Sequence, residues 1–372
     1  MSARITPAYF NYAGLARPAR SVARRVRAVE REYAHLLFSE DGIRMYEAVL
    51  AECRLAANAL LGAGGTGDVT LLPNSSTALN LAISVFGATL EPGAMVLTSD
   101  QEHPAVEWPL GRLAARGIEI ERVASTSPAE FLERIEALTT TRRPALAVFS
   151  HVSYKTGRVL PVEDAGRIFA QHAVPYIVDG AQALGQLPVD VRATRVCAYA
   201  FTGHKWLFGP MGTGGLWTSS EFVRDNPLAW AGNARRGGAV LENGTINCAL
   251  FAGLAEACRA CAEEFPSRVE KMSQIAAEIT RRLEGTYCEA AGRWDGPHAP
   301  GILAYALNDS ISGAEMAEAA MLRYQVAIKP FRPTFEPNGF RISFSPWTTA
   351  REIDSLIVAM RALFAESRKH TA

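Results

Sequence analysis

Short apolar runs alternate with amphipathic helical stretches through the first two thirds of the chain, the pattern of a mostly parallel sheet covered by helices. AMVLTSD (94–100), ALAVFSHV (145–152), YIVDG (176–180) and CAYAFTG (197–203) read as strands, each ending in polar residues. Ligands of such sheets sit beyond the carboxyl ends of the strands, so Asp100, His103, Ser150, Asp179 and Thr202 are expected to converge on one crevice. After Gly215 the texture changes to a loop rich in Gly, Asn and Arg, followed by a helical run over 249–283. GILAYALND, SGAEMAEAAMLRYQVAI, GFRISFSPW and a helix from Ala350 then read as a small α+β domain. The expected division is an N-terminal segment (1–15) packing near the active site, a large domain (16–248) and a small one (249–372), with a long helix able to belong to both.

Composition narrows the functional classes. Lys plus Arg and Asp plus Glu both total 38 in 372 residues, so no net field exists to attract nucleic acid or an anionic membrane. The N-terminus lacks the apolar core of a signal peptide, and no stretch approaches the ~20 apolar residues of a membrane span. A cytoplasmic location is the expectation. Six irregularly spaced cysteines read as reduced thiols rather than a disulfide framework. Cys258 and Cys261 form a C-x-x-C without a second pair or a His cluster, which reads as two small residues on one helix face, and no metal site is expected.

The candidate chemistry lies in two segments. VDGAQALGQLPVD puts Asp179 at a strand end, and AFTGHKWLFGPMGTGG puts Lys205 just past another, between His204 and Trp206. A lysine among apolar neighbours is an unusual choice unless its amine is used, and a neutral amine forms imines with aldehydes. Pyridoxal phosphate also requires a carboxylate at its ring nitrogen, a role open to Asp179. Its phosphate needs several donors, and Asn74, Ser75, Ser76 and Thr77 precede a good helix, as either an anion site or a plain N-cap. Thr202 and His204 could approach the phosphate from the lysine loop. His103 is either a cap residue or an imidazole stacked on the pyridine ring, and Gln182 either a buried amide or a contact for the phenolic oxygen.

Together these residues resemble the class V aminotransferase superfamily, which carries Asp-x-x-Gln at one strand end and Ser/Thr-x-His-Lys at the next. The resemblance runs from YFNYAG to RISFSPWTTAREID. It implies pyridoxal-phosphate fold type I, an α/β large domain with a mostly parallel seven-stranded sheet and a smaller α+β C-terminal domain. It also implies roles: Lys205 as the Schiff-base lysine, Asp179 as the pyridinium partner, His103 as the stacking ring and Gln182 as the phenolate contact. Ser75, Ser76, Thr202 and His204 become the phosphate cup, and Thr245 in ENGTIN crosses a homodimer interface to the partner's phosphate. Arg341 in FRISFSPW, with Asn11 in the N-terminal segment, is assigned to the substrate, the guanidinium fork suiting its carboxylate.

Within the superfamily the motif wording is most similar to cysteine or cystine carbon–sulfur lyases and isopenicillin N epimerase-like proteins. No cysteine follows Cys288, so the C-terminal thiol of cysteine desulfurases has no counterpart and a persulfide-forming mechanism is not expected. Where many relatives carry asparagines this chain has Ser153, Tyr154 and Lys155; Lys155, Arg235 and Arg236 are either cations for a substrate anion or solvated residues. The expected reaction is β-elimination from cysteine or an S-substituted cysteine, giving thiol or persulfide, pyruvate and ammonia. Transamination, epimerisation or decarboxylation of an amino acid is the alternative, and a non-catalytic scaffold the competing class. The segments 230–242 and 9–17 are expected to set specificity.

Overall fold

The structure, a computed structural model, describes residues 6–37, 39–225, 242, 244–284, 289–290, 294–307, 312–331 and 338–371. Arg235 and Arg236, like the rest of 230–242 except Glu242, lie outside these residues. The chain begins with β1 (Ala8–Tyr9), α1 (Arg20–Leu36), α2 (Glu40–Leu60), β2 (Gly67–Leu72), α3 (Ser75–Ala88), β3 (Met95–Ser99) and α4 (Pro104–Ala114). It continues through β4 (Glu119–Val123), α5 (Pro128–Arg142), β5 (Leu146–Ser150), α6 (Val162–Gln171), β6 (Tyr176–Asp179), β7 (Ala198–Thr202), β8 (Gly214–Ser219) and α7 (Ser220–Asp225). The rest is α8 (Cys248–Leu283), β9 (Glu289–Ala290), β10 (Ile302–Ala306), α9 (Gly313–Tyr324), β11 (Val326–Ala327), β12 (Lys329–Pro330), β13 (Gly339–Ser343) and α10 (Ala350–Thr371).

These elements form two compact units. The larger comprises Arg17–Ser153 and Val159–Phe265; the smaller comprises the described residues to Ala16, Tyr154–Arg158 and those from Pro266 onward. The division falls inside α8 at Pro266, where the helix lacks one backbone donor. The N-terminal segment thus groups with the C-terminal unit.

The larger unit is built on a seven-stranded sheet, order β2-β8-β7-β6-β5-β3-β4. Pairs β3–β4, β3–β5, β5–β6 and β6–β7 are parallel, while β8 runs antiparallel to both β7 and β2. β3, β5, β6 and β7 are buried along their whole length, which explains why MVLTS, LAVFS, YIVD and AYAFT read as continuous apolar runs. On one face Leu79, Ile83 and Phe86 of α3 and Leu110 of α4 pack on Val96, Val148, Ile177 and Ala200. On the other, Phe131, Phe149, Phe169 and Tyr176 form an aromatic cluster with ring centroids 5.0 to 5.8 Å apart.

The smaller unit carries the sheet β12-β13-β10-β9, antiparallel throughout, and the parallel pair β1–β11. Asn11 forms an isolated bridge with Ser343, and the Ala13 amide donates to Ser343 Oγ at 3.0 Å. Among the described residues no helix is long and apolar enough to cross a membrane.

Candidate active site

Register alone assembles the centre of the site. In the β5–β6 pair Ser150 lies opposite Asp179, and in β6–β7 Asp179 lies opposite Ala200, two residues before Thr202 ends its strand. Gly203, His204 and Lys205 follow directly, so the carboxylate and the amine emerge from adjacent strand ends. Asp179 is 5% exposed, and its Oδ1 accepts from the Ala181 amide at 2.9 Å. Burial pushes this carboxyl above its ordinary range, while the positive charge of Lys205 pulls in the opposite direction. Burial, then the same Lys205 charge, lowers His204 to about 4, so its imidazole is neutral near pH 7. His204 Nδ1 and Thr202 Oγ1 lie 2.8 Å apart.

Gln182, three residues beyond Asp179, is buried and accepts from Trp206 Nε1 through Oε1 at 2.8 Å. That bond orients the carboxamide so that its amine end supplies the donors. Gly180 marks a close approach: a Cβ there would stand 2.0 Å from Tyr199 Cε1 and 2.5 Å from Tyr199 Oη. Tyr199 Oη is also 2.9 Å from Nδ1 of the buried His151, whose amide donates to the Asp179 carbonyl at 2.9 Å. Gly180→Ala is expected to destabilise the protein by about 1–3 kcal/mol through this overlap, read as a lowered urea midpoint; an unchanged midpoint would show that the ring yields at no cost.

At the N-terminus of α3 the cap is Asn74, whose Oδ1 accepts from the Thr77 amide at 2.8 Å and from Thr77 Oγ1 at 3.1 Å. The amides of Ser75 and Ser76, in the first turn, are then the donors positioned for an anion. Ser75 is buried and Ser76 half-buried.

His103 serves as the N-cap of α4, its Nδ1 accepting from the Ala105 amide at 3.1 Å. A neutral ring in that bond carries its proton on Nε2. The capping use and a ring-stacking use are therefore compatible, since the first occupies one nitrogen edge and the second needs a ring face. Asp100 turns to a structural task, its Oδ1 accepting from the Ser125 amide at 3.1 Å and from Ser125 Oγ at 2.7 Å. Glu102, which the sequence pattern does not single out, is buried at the same turn. A carboxylate between an apolar strand and a His-Pro helix start was the available signal.

In the smaller unit Arg341 is 5% exposed on β13. Its Nη2 donates to Asn11 Oδ1 at 3.0 Å and its Nη1 to the Tyr154 carbonyl. These neutral acceptors orient the guanidinium, and Asn11 acts on Arg341. Lys155 is half-buried with Nζ 5.8 Å from the Tyr154 ring centroid. Thr245 is exposed on the segment before α8. Cys258 and Cys261 are buried in α8, and among the described residues no His, Cys, Asp and Glu cluster could hold a metal ion.

The donor set of the larger unit fits pyridoxal phosphate. An amine for its aldehyde stands near a buried carboxylate for its ring nitrogen, and the α3 amides with the Thr202–His204 pair suit its phosphate.

Comparison with known proteins agrees with this chemistry. Residues 9–356 match the family model described as aminotransferase class-V. A probable cysteine desulfurase of Methanothermobacter thermautotrophicus is 30% identical over 262 residues, 65% of this chain and 63% of that protein. A mitochondrial cysteine desulfurase of Arthroderma benhamiae is 28% identical over 72% of this chain and 55% of its own length, so the match spans under two thirds of both relatives. Isopenicillin N epimerase of Streptomyces clavuligerus is 28% identical, with 87% of each chain covered. Among solved structures, the apo cysteine desulfurase of Thermococcus onnurineus superposes with a TM-score of 0.83 at 21% identity, covering 97% of this chain and 95% of that one. A cystine C-S lyase solved with its product cysteine persulfide gives 0.79 at 22% identity over 95% of this chain and 97% of that one. At these identities the structures establish the shared fold.

Proposed function

The chain belongs to the aminotransferase class-V family, and on that premise we propose that it is a pyridoxal-phosphate-dependent carbon–sulfur lyase acting on cysteine or an S-substituted cysteine. The observation that carries the reading is the buried Asp179 carboxylate at a strand end within the field of the Lys205 amine. Pyridoxal phosphate, when bound, supplies an aldehyde that condenses with amines and a protonated ring that draws electrons from the substrate α-carbon.

The residues divide the work. Lys205 Nζ would be the attachment point for the aldehyde and, as a free amine, would take the α-proton of the substrate. Asp179 keeps the ring nitrogen protonated by its charge, and His103 presents its ring face. Gln182 donates to the phenolic oxygen. Amides and hydroxyls of Ser75 and Ser76, with Thr202 and His204, hold the phosphate, and Thr245 of each copy in a homodimer completes the phosphate site of the other. Arg341, oriented by Asn11, receives the substrate carboxylate. The balance is one S-substituted cysteine plus water giving one thiol, pyruvate and ammonium.

Release of sulfur as a free small molecule is supported by the thiols themselves. Burial raises the pKa of Cys53, Cys197, Cys248 and Cys258, so none of these four is a thiolate at neutral pH. A second reading, proton exchange at the α-carbon, is favoured by the 87% mutual coverage with the epimerase. Incubating the cofactor-loaded protein with cysteine, cystine and cysteine thioethers is expected to release pyruvate in equal amounts with sulfide, cysteine persulfide and thiol, respectively. Inversion of the amino acid without pyruvate would establish the second reading, and a keto acid retaining the substrate carbon skeleton would establish transamination.

A further inference from the structure

Glu102 is a buried acid, 4% exposed, in the turn between β3 and α4. Its Oε1 accepts from Ser99 Oγ at 2.5 Å and from the Ser150 amide at 2.9 Å, and its Oε2 accepts from Ser150 Oγ at 2.7 Å. One side chain thus joins the end of β3 to the end of β5. Ser150 is the register partner of Asp179, and His103 is the next residue along the turn. Two further bonds brace the turn: the Gln101 amide donates to Ser99 Oγ at 3.1 Å, and Ser153 Oγ donates to Gln101 Oε1 at 2.8 Å.

We infer that Glu102 is a positioning residue, its carboxyl group locking the turn that carries His103 to the strand end beside Asp179 and so fixing the imidazole against the cofactor ring. The inference rests on the proposed pyridoxal phosphate site and adds to it a residue that touches neither cofactor nor substrate. Ser99 and Ser150 are both buried, so removing the carboxyl oxygens takes away the protein acceptor that their donors use. The freed donors would let the turn move, and His103 with it. Asp179 on β6 places its charge on Glu102, and burial, then the Glu102 charge, raises the Tyr176 hydroxyl on the same strand. Burial, reinforced by Asp179, raises this carboxyl to about 7 against the bonds from Ser99 and Ser150. Glutamine keeps an acceptor for Ser99 Oγ and the Ser150 amide and offers a donor to Ser150 Oγ, whereas alanine loses all three bonds.

The experiment compares wild type, Glu102→Gln, Glu102→Ala, His103→Asn and the Glu102→Ala/His103→Asn pair. Asparagine at 103 preserves an α4 cap but removes the ring. Three quantities are measured: amide hydrogen exchange across 99–105 in the cofactor-free protein, pyridoxal phosphate affinity, and the circular dichroism of the bound cofactor's visible band. Glu102→Ala is expected to accelerate exchange and weaken affinity by about tenfold each, with a diminished dichroic band. Glu102→Gln is expected to stay within about threefold of wild type, and in the His103→Asn background the affinity loss should shrink to about twofold. Wild-type exchange and dichroism in Glu102→Ala would overturn the inference, as would a Gln variant as damaged as Ala, or an undiminished loss without the imidazole. Wild-type protein that takes up no cofactor would instead overturn the proposed function, a result visible before any variant is made.

Discussion

Lys205→Ala is expected to remove the visible absorbance of the lysine-bound cofactor and to slow pyruvate release by about a thousandfold, since one substitution deletes both attachment point and proton acceptor. Lys205 is half-buried just past the end of β7, and because its charge favours the buried Asp179 carboxylate, the cofactor-free variant's melting temperature should fall slightly at pH 7 while the fold is kept. Pyridoxal phosphate should still bind reversibly through the phosphate donors and Asp179. Activity within about tenfold of wild type would exclude Lys205 from both roles.

Asp179→Asn is expected to separate activity from stability. The substitution is nearly isosteric, and Asn Oδ1 can still accept from the Ala181 amide. What is lost is the charge that keeps a ring nitrogen protonated, and turnover should fall by about 10²- to 10⁴-fold. Stability of the cofactor-free protein should move the other way. A carboxyl whose pKa is raised on folding contributes its full stability below the ordinary carboxylate range and loses it as pH rises through the folded value. At neutral pH the wild-type protein bears that cost and the Asn variant does not. Its melting temperature should therefore equal or exceed that of wild type at pH 7, with the gap closing toward pH 4; a variant less stable at pH 7 would show that Asp179 is compensated within the apo fold.

Much of the candidate site was legible because it follows from strand ends. The four strands read over 94–100, 145–152, 176–180 and 197–203 form as β3, β5, β6 and β7, shortened at their ends. Strands buried on both faces must be apolar throughout, so the first polar residue after each run marks where the chain reaches the crevice. The antiparallel β2 and β8 were not legible from the same pattern. Gly67, Gly214 and Gly215 fall in them because neighbouring atoms leave no space for a Cβ, a contact distant in sequence.

Sequence by itself determined the fold class and the pairing of Asp179 with Lys205, because both depend on local polarity and on two short motifs at strand ends. Tertiary structure decided how the supporting groups are used: Asn74 rather than a serine caps α3, Asp100 turns to Ser125, Asn11 holds Arg341, and Glu102 bonds Ser99 and Ser150. A side chain's hydrogen-bond partner is chosen by which strand ends come together, and burial then fixes the choice because no water can substitute.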